Sequence, residues 1–141
     1  MTIVVARLLF PFSLVFAAAL WAKGYADVGE GFSAGATAGL GAIVQYIFLN
    51  HETAARRVGA RWAWPCVSFG LIGVLAITFG PLVFGFPPVT HFPRPGREVI
   101  SFGVAEVHTA MAFDLAIAVL VYGMFVGTFD RLFPYYRRDL S

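Results

Sequence analysis

Acidic side chains within an apolar stretch are the first residues of this sequence that could do chemistry. Residues 105–115 read Ala-Glu-Val-His-Thr-Ala-Met-Ala-Phe-Asp-Leu, inside an apolar segment that runs from 102 to 129. Asp114 falls about 12 residues into that segment, so a membrane-spanning helix here would place its carboxylate near the centre of the bilayer. A carboxylate at that depth costs several kcal/mol unless it faces protein or water, or carries a proton. Two roles are open for Asp114: a proton or cation relay, and a hydrogen bond between helices.

Two further polar residues precede Asp114 on the expected helix. Glu106 lies about 80° around the helix from Asp114 and about 12 Å along it, with Thr109 between them in height. Glu106, Thr109 and Asp114 could therefore line one polar track, whereas His108 points to nearly the opposite side. The alternative for Glu106 is a solvated acid in the first turn of a helix, where negative charge is favoured.

The sequence offers no set of residues for a metal, a cofactor or nucleophilic catalysis. His51, His91 and His108 show no metal-ligand spacing. Cys66, the single cysteine, excludes an internal disulfide and a Cys-based metal cluster. No Ser-His-Asp or Cys-His arrangement and no phosphate-binding loop is present, so we expect no catalytic residue, no metal and no cofactor.

The composition places these residues in a membrane. The chain of 141 residues is 59% hydrophobic and only 13% charged, with a mean hydropathy of +0.77, whereas soluble domains are about half apolar and about a quarter charged. A net charge of +2 without a basic stripe excludes nucleic acid as a partner. The partner that the composition implies is the lipid bilayer.

Four apolar segments set the expected architecture. They span residues 3–22, 32–50, 64–86 and 102–129, each long enough for a transmembrane helix. We therefore predict an all-α integral membrane protein with four transmembrane helices, forming one domain over residues 1–141.

The basic residues predict the orientation of these helices, because Lys and Arg collect on the cytoplasmic side of a membrane. With four helices, the N-terminus, the loop between the second and third helices and the C-terminus share one side. The larger basic group lies on that side: Arg7, Arg56, Arg57, Arg61, Arg131, Arg137 and Arg138. Only Lys23, Arg94 and Arg97 lie on the other side. We therefore expect both termini in the cytoplasm.

The second segment is unusual because small residues dominate its first half. Gly31, Gly35 and Gly39 recur every four residues, which leaves one helical face almost without side chains, and in lipid such a face is a docking surface. We expect it to pack against other subunits, with Gln45 forming a hydrogen bond between helices.

Smaller signals at the helix ends complete the set of candidates. Asp27 and Glu30 lie at the mouth of the second helix, where they could complement the helix dipole. Gly123 and Gly127 form a second, weaker face of small residues.

The glycine-rich opening of the second helix resembles the B subunit of Mrp-type multisubunit Na⁺/H⁺ antiporters, the MnhB family. The residues that carry this resemblance are Gly29, Gly31, Phe32, Gly35, Val44 and Gln45. The Thr-Ala-Met-Ala-Phe-Asp segment over residues 109–114 resembles the Thr-Ala…Phe-Asp segment of the family's last helix. The chain departs from the family at Gly24-Tyr25, where a Gly-His pair is usual, and at residues 28–31, where Val-Gly-Glu-Gly replaces Pro-Gly-Gly-Gly.

The resemblance implies a small component of a hetero-oligomeric cation/proton antiporter in the cell membrane of a bacterium or archaeon. Its partners would be the other membrane subunits of that complex, and the transported ions would be Na⁺ and H⁺. Asp114, with Glu106, would supply a protonatable or cation-binding group where subunits meet. The chain would then be a transporter subunit, not an autonomous enzyme.

Two other functions are open. Related B-like subunits occur in the membrane arm of redox-driven ion pumps related to complex I, such as membrane-bound hydrogenases. The chain could also be a purely structural scaffold that holds larger subunits in place.

Overall fold

A computed structural model describes residues 1–24, 29–88, 101–102, 105–106 and 109–138 of the chain. Its α-helices are α1 (Thr2–Lys23), α2 (Glu30–Phe48), α3 (His51–Val58), α4 (Ala63–Val83) and α5 (Thr109–Arg138). A single 3₁₀ turn (Ala60–Trp62) joins α3 to α4. Strands β1 (Ser101–Phe102) and β2 (Ala105–Glu106) pair antiparallel, with Ser101 opposite Glu106.

The prediction of an all-α protein with four membrane-length helices is confirmed. The segments Ile3–Lys23, Glu30–Phe48, Ala60–Val83 and Thr109–Pro134 are each long and apolar enough to cross a bilayer. The short helix α3 is polar and amphipathic, and it is capped at both ends. At its N-terminus Asn50 Oδ1 accepts a hydrogen bond from the Thr53 N–H at 3.1 Å. At its C-terminus Gly59 ends the helix with φ of 69°.

The last helix differs in position from its sequence-based prediction. It begins at Thr109 instead of residue 102 and continues to Arg138 instead of ending at 129. Residues assigned to its first turn pair instead as β1 and β2. A hydropathy window counts apolar residues and does not distinguish a short strand pair from the first turn of a helix.

Helix α2 is the centre of the bundle. It packs against α1 on one side and α5 on the other, and α4 packs on α5. Half of the residues in the most apolar stretch of α2 are buried, whereas the corresponding buried share is 17% for α1 and 11% for α4. The helices therefore follow the spatial order α1, α2, α5, α4, and the two outer helices expose most of their apolar surface.

The glycines of α2 allow the close approach to α5. A Cβ atom on Gly35 would lie 2.6 Å from the Ala118 carbonyl oxygen, and one on Gly39 would lie 2.7 Å from Phe125 Cγ. A Cβ atom on Gly31 would overlap the backbone of Asp114. The surface that the sequence predicts as a docking face for another subunit is therefore occupied by α5 of the same chain.

The weaker small-residue face of α5 also packs within the chain. A Cβ atom on Gly123 would lie 2.6 Å from the Ala63 carbonyl oxygen, and one on Gly127 would lie 3.3 Å from the Trp64 ring. Because each of these glycines faces α4, small residues of α5 admit α4, whereas the glycines of α2 admit α5.

Candidate functional site

Asp114 lies where α1 ends and where α2 and α5 begin. Its side chain is only 2% exposed. Its Oδ2 atom accepts a hydrogen bond from the Gly29 N–H at 3.1 Å. Gly29 is the residue before the first turn of α2 and has φ of 112°, a conformation that glycine adopts without strain.

The Asp114 carboxylate lies beside the N-terminal end of α2. The first N–H groups of a helix have no intrahelical acceptor and together carry partial positive charge. Asp114 therefore supplies, from another helix, the acceptor for the N–H of the N-cap residue Gly29 that the N3 side chain of a capping box would supply locally, because N3 is Phe32 here.

Asp114 lies near the start of α5, not near the middle of the last helix, where the sequence predicts it. It is the sixth residue of α5, so it lies only about 8 Å along the axis from the start of that helix. The difference follows from the late start of α5. The carboxylate is buried between three helices at one end of the bundle.

Glu30 and Lys23 form the outer part of this site. Lys23 Nζ lies 3.1 Å from Glu30 Oε1, and the Lys23 side chain is 60% exposed. A Cβ atom on Gly24 would lie 3.2 Å from Asp114 Oδ2 and 3.3 Å from Glu30 Cβ. The two carboxylates of α2 and α5 thus approach the same short turn at the end of α1, one inside the bundle and one at its surface.

The other residues of the predicted polar track do not all join Asp114. Thr109 is the first residue of α5 and is half-buried. Glu106 lies in β2, not on the helix, so the predicted helical alignment of Glu106 with Asp114 is wrong. Asp27 lies outside the described residues.

Gln45 forms a buried contact between α2 and α1. Its Nε2 donates to the Ala6 carbonyl oxygen at 2.6 Å. Within the part of the chain that the structure describes, its Oε1 is buried without a donor. The amide therefore joins two helices with one of its two polar atoms, as helix–helix hydrogen bonds do in membranes.

A second polar cluster lies at the opposite end of the bundle, and its residues are not among the candidates that the sequence predicts. Tyr46, fully buried, donates its hydroxyl to Asp130 Oδ1 at 3.0 Å. His51 Nε2 lies 3.0 Å from the same carboxylate oxygen and 3.0 Å from the Asp130 carbonyl oxygen. The His51 ring stacks on Phe133 with centroids 6.2 Å apart.

The contacts of His51 show which ring nitrogen carries its hydrogen and why the ring lies beside Asp130. Both of its neighbours are oxygen acceptors, so Nε2 carries the hydrogen. Pro134, four residues after Asp130, has no N–H to donate to the Asp130 carbonyl. His51 replaces that missing donor. The signal that could have revealed the cluster is the Asp130…Pro134 spacing, which is hidden if the helix is ended at residue 129.

Among the described residues, no group of three or more His, Cys, Asp or Glu side chains could hold a metal ion. The chemistry that the two polar clusters offer is that of single carboxylates held by N–H and O–H donors. Such groups can bind and release a proton or contact a monovalent cation.

Fold and site together define a multi-pass helical membrane protein with a buried carboxylate at a helix junction. The family model described as a domain related to the MnhB subunit of Na⁺/H⁺ antiporters matches residues 1–127. The chain therefore belongs to the MnhB-related family, which confirms the resemblance seen in its glycine-rich helix and in the segment that ends at Asp114.

A named relative gives the same family. The chain is 32% identical over 124 residues to a protein of Rhizobium meliloti (strain 1021) named as a probable K⁺/H⁺ antiporter A/B subunit. The match covers 85% of this chain but 12% of that protein. The chain thus spans about an eighth of the length of this relative.

Proposed function

We propose that the chain is a small membrane component of a multisubunit monovalent cation/proton antiporter, and therefore part of a transporter rather than an enzyme. Its family and its relative named as a K⁺/H⁺ antiporter component support this proposal. The membrane would be the cell membrane of a bacterium or archaeon, and the partners would be the larger membrane subunits of the complex. Na⁺ is the cation that the family description names, and K⁺ is the cation that the relative's name gives.

The outer helices are the surfaces by which the chain would join its complex. The glycine face of α2 is covered by α5, whereas α1 and α4 are mostly exposed. Large apolar side chains project from both, among them Phe12 of α1, 69% exposed, and Phe69 of α4, 72% exposed. Lipid and neighbouring subunits would share these faces.

Asp114 would contribute a proton-binding or cation-binding carboxylate, and the observation that carries this role is its burial beside the N-terminus of α2. The hydrogen bond to Gly29 supports a second role, the scaffold role, in which Asp114 only holds α2 in place. The relay role needs the ionisable carboxyl group of Asp114, whereas the scaffold role needs only an oxygen atom that accepts the hydrogen bond from Gly29.

Two substitutions at Asp114 separate these roles. Asp114→Asn keeps an oxygen acceptor for the Gly29 N–H and removes the charge, whereas Asp114→Ala removes both. For the relay role we expect Asp114→Asn to assemble normally and to lose cation-driven proton exchange, down to the level of membranes without the complex. Assembly is measured on native gels, and exchange with a pH-sensitive dye in inverted membrane vesicles.

The scaffold role predicts a different pattern. Asp114→Asn would then transport normally, whereas Asp114→Ala would lower the amount of assembled complex, because the Gly29 N–H would lose its acceptor, a loss of about 0.5–1.5 kcal/mol. Normal transport by Asp114→Asn, at normal apparent affinity for the cation, would exclude the relay role.

A further inference from the structure

A cavity of about 700 Å³ lies at the arginine-rich end of the bundle. Residues of α3, of the 3₁₀ turn and of the adjoining parts of α4 and α5 line it. Three of the lining side chains are guanidinium groups, those of Arg56, Arg61 and Arg131. The cavity is distant from the Asp114 site, because it lies at the opposite ends of α2 and α5.

Aromatic rings hold two of these guanidinium groups at the cavity wall. The Arg131 guanidinium carbon lies 4.4 Å from the centroid of the Trp64 ring, and that of Arg61 lies 5.5 Å from the centroid of Trp62. A stacked guanidinium keeps its N–H donors at its edge, where they match the oxygen atoms of a phosphate. Stacking therefore prepares both groups for an anion.

The acidic groups at the cavity are already engaged. Asp130 accepts from Tyr46 and contacts His51, each at 3.0 Å. Glu52 pairs with Arg56 at 2.6 Å. Among the described residues, no carboxylate forms an ion pair with Arg61 or Arg131, so the charge of these two lining side chains is left for a ligand.

An apolar surface continues from the cavity along α4. Trp64, Leu71 and Leu75 share one face of the helix at spacings of seven and four residues. They are 45%, 48% and 46% exposed. Tryptophan is favoured at the membrane–water interface, so the cavity lies at headgroup level and the Leu71–Leu75 surface lies beside the acyl chains.

We propose that this cavity binds the phosphate headgroup of an anionic phospholipid. Arg61 and Arg131 hold the phosphate, and the acyl chains lie along the Leu71–Leu75 surface of α4. Basic pockets between transmembrane helices on the cytoplasmic side are a recurring form of lipid headgroup site.

Quenching of tryptophan fluorescence tests the proposal in a Trp21→Phe background, because the two tryptophans that remain, Trp62 and Trp64, lie at the site. The full-length chain is placed in vesicles that contain phosphatidylcholine and phosphatidylglycerol. In one preparation the phosphatidylglycerol carries brominated acyl chains, and in the other an equal amount of phosphatidylcholine carries them. We expect brominated phosphatidylglycerol to associate with these tryptophans about fivefold more strongly than brominated phosphatidylcholine, the preference that about one basic side chain confers. Arg61→Gln and Arg131→Gln should each reduce this preference, and together they should remove it.

Two control variants keep the test specific. Arg7→Gln removes an exposed arginine that does not line the cavity and should leave the preference unchanged. Arg131→Lys keeps the charge and should retain most of the preference, which separates loss of charge from misfolding. Far-UV circular dichroism checks that each variant is helical.

Three results would overturn the proposal. Equal quenching by the two lipids in the Trp21→Phe parent would show that no anionic lipid is selected. Loss of the preference in excess inorganic phosphate, but not in sodium chloride of the same ionic strength, would assign the cavity to a small soluble anion. Absence of quenching at Trp64 in the assembled complex, but not in the isolated chain, would assign this surface to a protein partner.

Discussion

Proline at position 11 leaves a backbone carbonyl of α1 without its helical donor, and a side chain of α3 fills the gap. Pro11 lies four residues after Arg7, whose carbonyl oxygen accepts a hydrogen bond from Arg57 Nη2 at 2.9 Å. His51 does the same for the carbonyl exposed by Pro134 in α5. The short helix α3 thus ties α1 to α5 through two proline-exposed carbonyls.

This role of His51 predicts a coupled pair of substitutions. His51→Leu should destabilise the protein by about 0.5–1.5 kcal/mol, because it leaves a half-buried carbonyl and a carboxylate short of a donor. Pro134→Ala restores a backbone N–H for the same carbonyl. In the Pro134→Ala background, His51→Leu should therefore lower the free energy of unfolding by at least about 0.5 kcal/mol less than it does in the wild-type background.

The measurement is a double-mutant cycle on the detergent-purified chain, with thermal unfolding followed by tryptophan fluorescence. His51→Gln, which keeps an N–H donor, is the matched control and should cost less than His51→Leu. Strictly additive effects of the two substitutions would show that His51 does not replace the donor missing at Pro134.

At the scale of single residues, the sequence identified Asp114 but not its hydrogen-bond donor. A carboxylate within an apolar segment is visible by composition alone. Its hydrogen bond to Gly29 joins residues 85 positions apart in the chain, and no local pattern encodes such a pair. The pairing of Tyr46 with Asp130 could not be predicted for the same reason, since they meet across 84 positions.

At the scale of helices, small residues decide which elements can approach. Gly31, Gly35 and Gly39 bring α2 against the backbone of α5, and a Cβ atom on Gly70 of α4 would lie 2.7 Å from Leu120 Cβ of α5. The sequence correctly indicates that these faces are packing surfaces. It does not indicate whether the partner is another subunit or another helix of the chain, because a small-residue face is complementary to either.

Close packing predicts a sharp contrast between two glycine-to-alanine substitutions. Gly35→Ala places a methyl group 2.6 Å from the Ala118 carbonyl oxygen and should destabilise the protein by about 1–3 kcal/mol through overpacking. Gly80→Ala, in α4, meets nothing within 4 Å beyond its chain neighbours and the backbone of its own helix. It should change the stability by less than about 1 kcal/mol, because the better helix propensity of alanine is offset by contact of its Cβ with the ring of the following Pro81.

The melting temperatures of the two purified variants, compared with wild type, check this contrast. A Gly35→Ala protein that melts at or above the wild-type temperature would mean that α2 and α5 are not in backbone contact.

At the scale of the whole molecule, five arginines of the described segments gather at one end of the bundle: Arg7, Arg56, Arg57, Arg61 and Arg131. Arg57 reaches the backbone of Arg7, and Arg131 stacks on Trp64, so three separate segments bring their arginines together. The positive-inside tendency predicts that this end is cytoplasmic. The opposite end carries the Asp114 site and the Lys23–Glu30 pair.

Cysteine labelling should reveal this orientation. Cys66 is first replaced by alanine, and a new cysteine is then introduced by Arg61→Cys at the arginine-rich end or by Phe84→Cys at the other end. Both positions are exposed, Phe84 at 77%. We expect a membrane-impermeant maleimide to label position 84 in intact cells and position 61 only after permeabilisation; the reverse pattern would invert the topology.

The sequence by itself determined the membrane class, the four apolar spans and the family, because these depend on composition, on segment length and on short motifs near residues 29–45 and 109–114. The tertiary structure decided that α5 starts at Thr109, that the glycine face of α2 is covered within the chain, and that Asp114 lies at one end of the bundle. The physical reason is that hydropathy records how apolar a segment is, whereas the depth and partner of a side chain depend on how helices far apart in the chain are packed together.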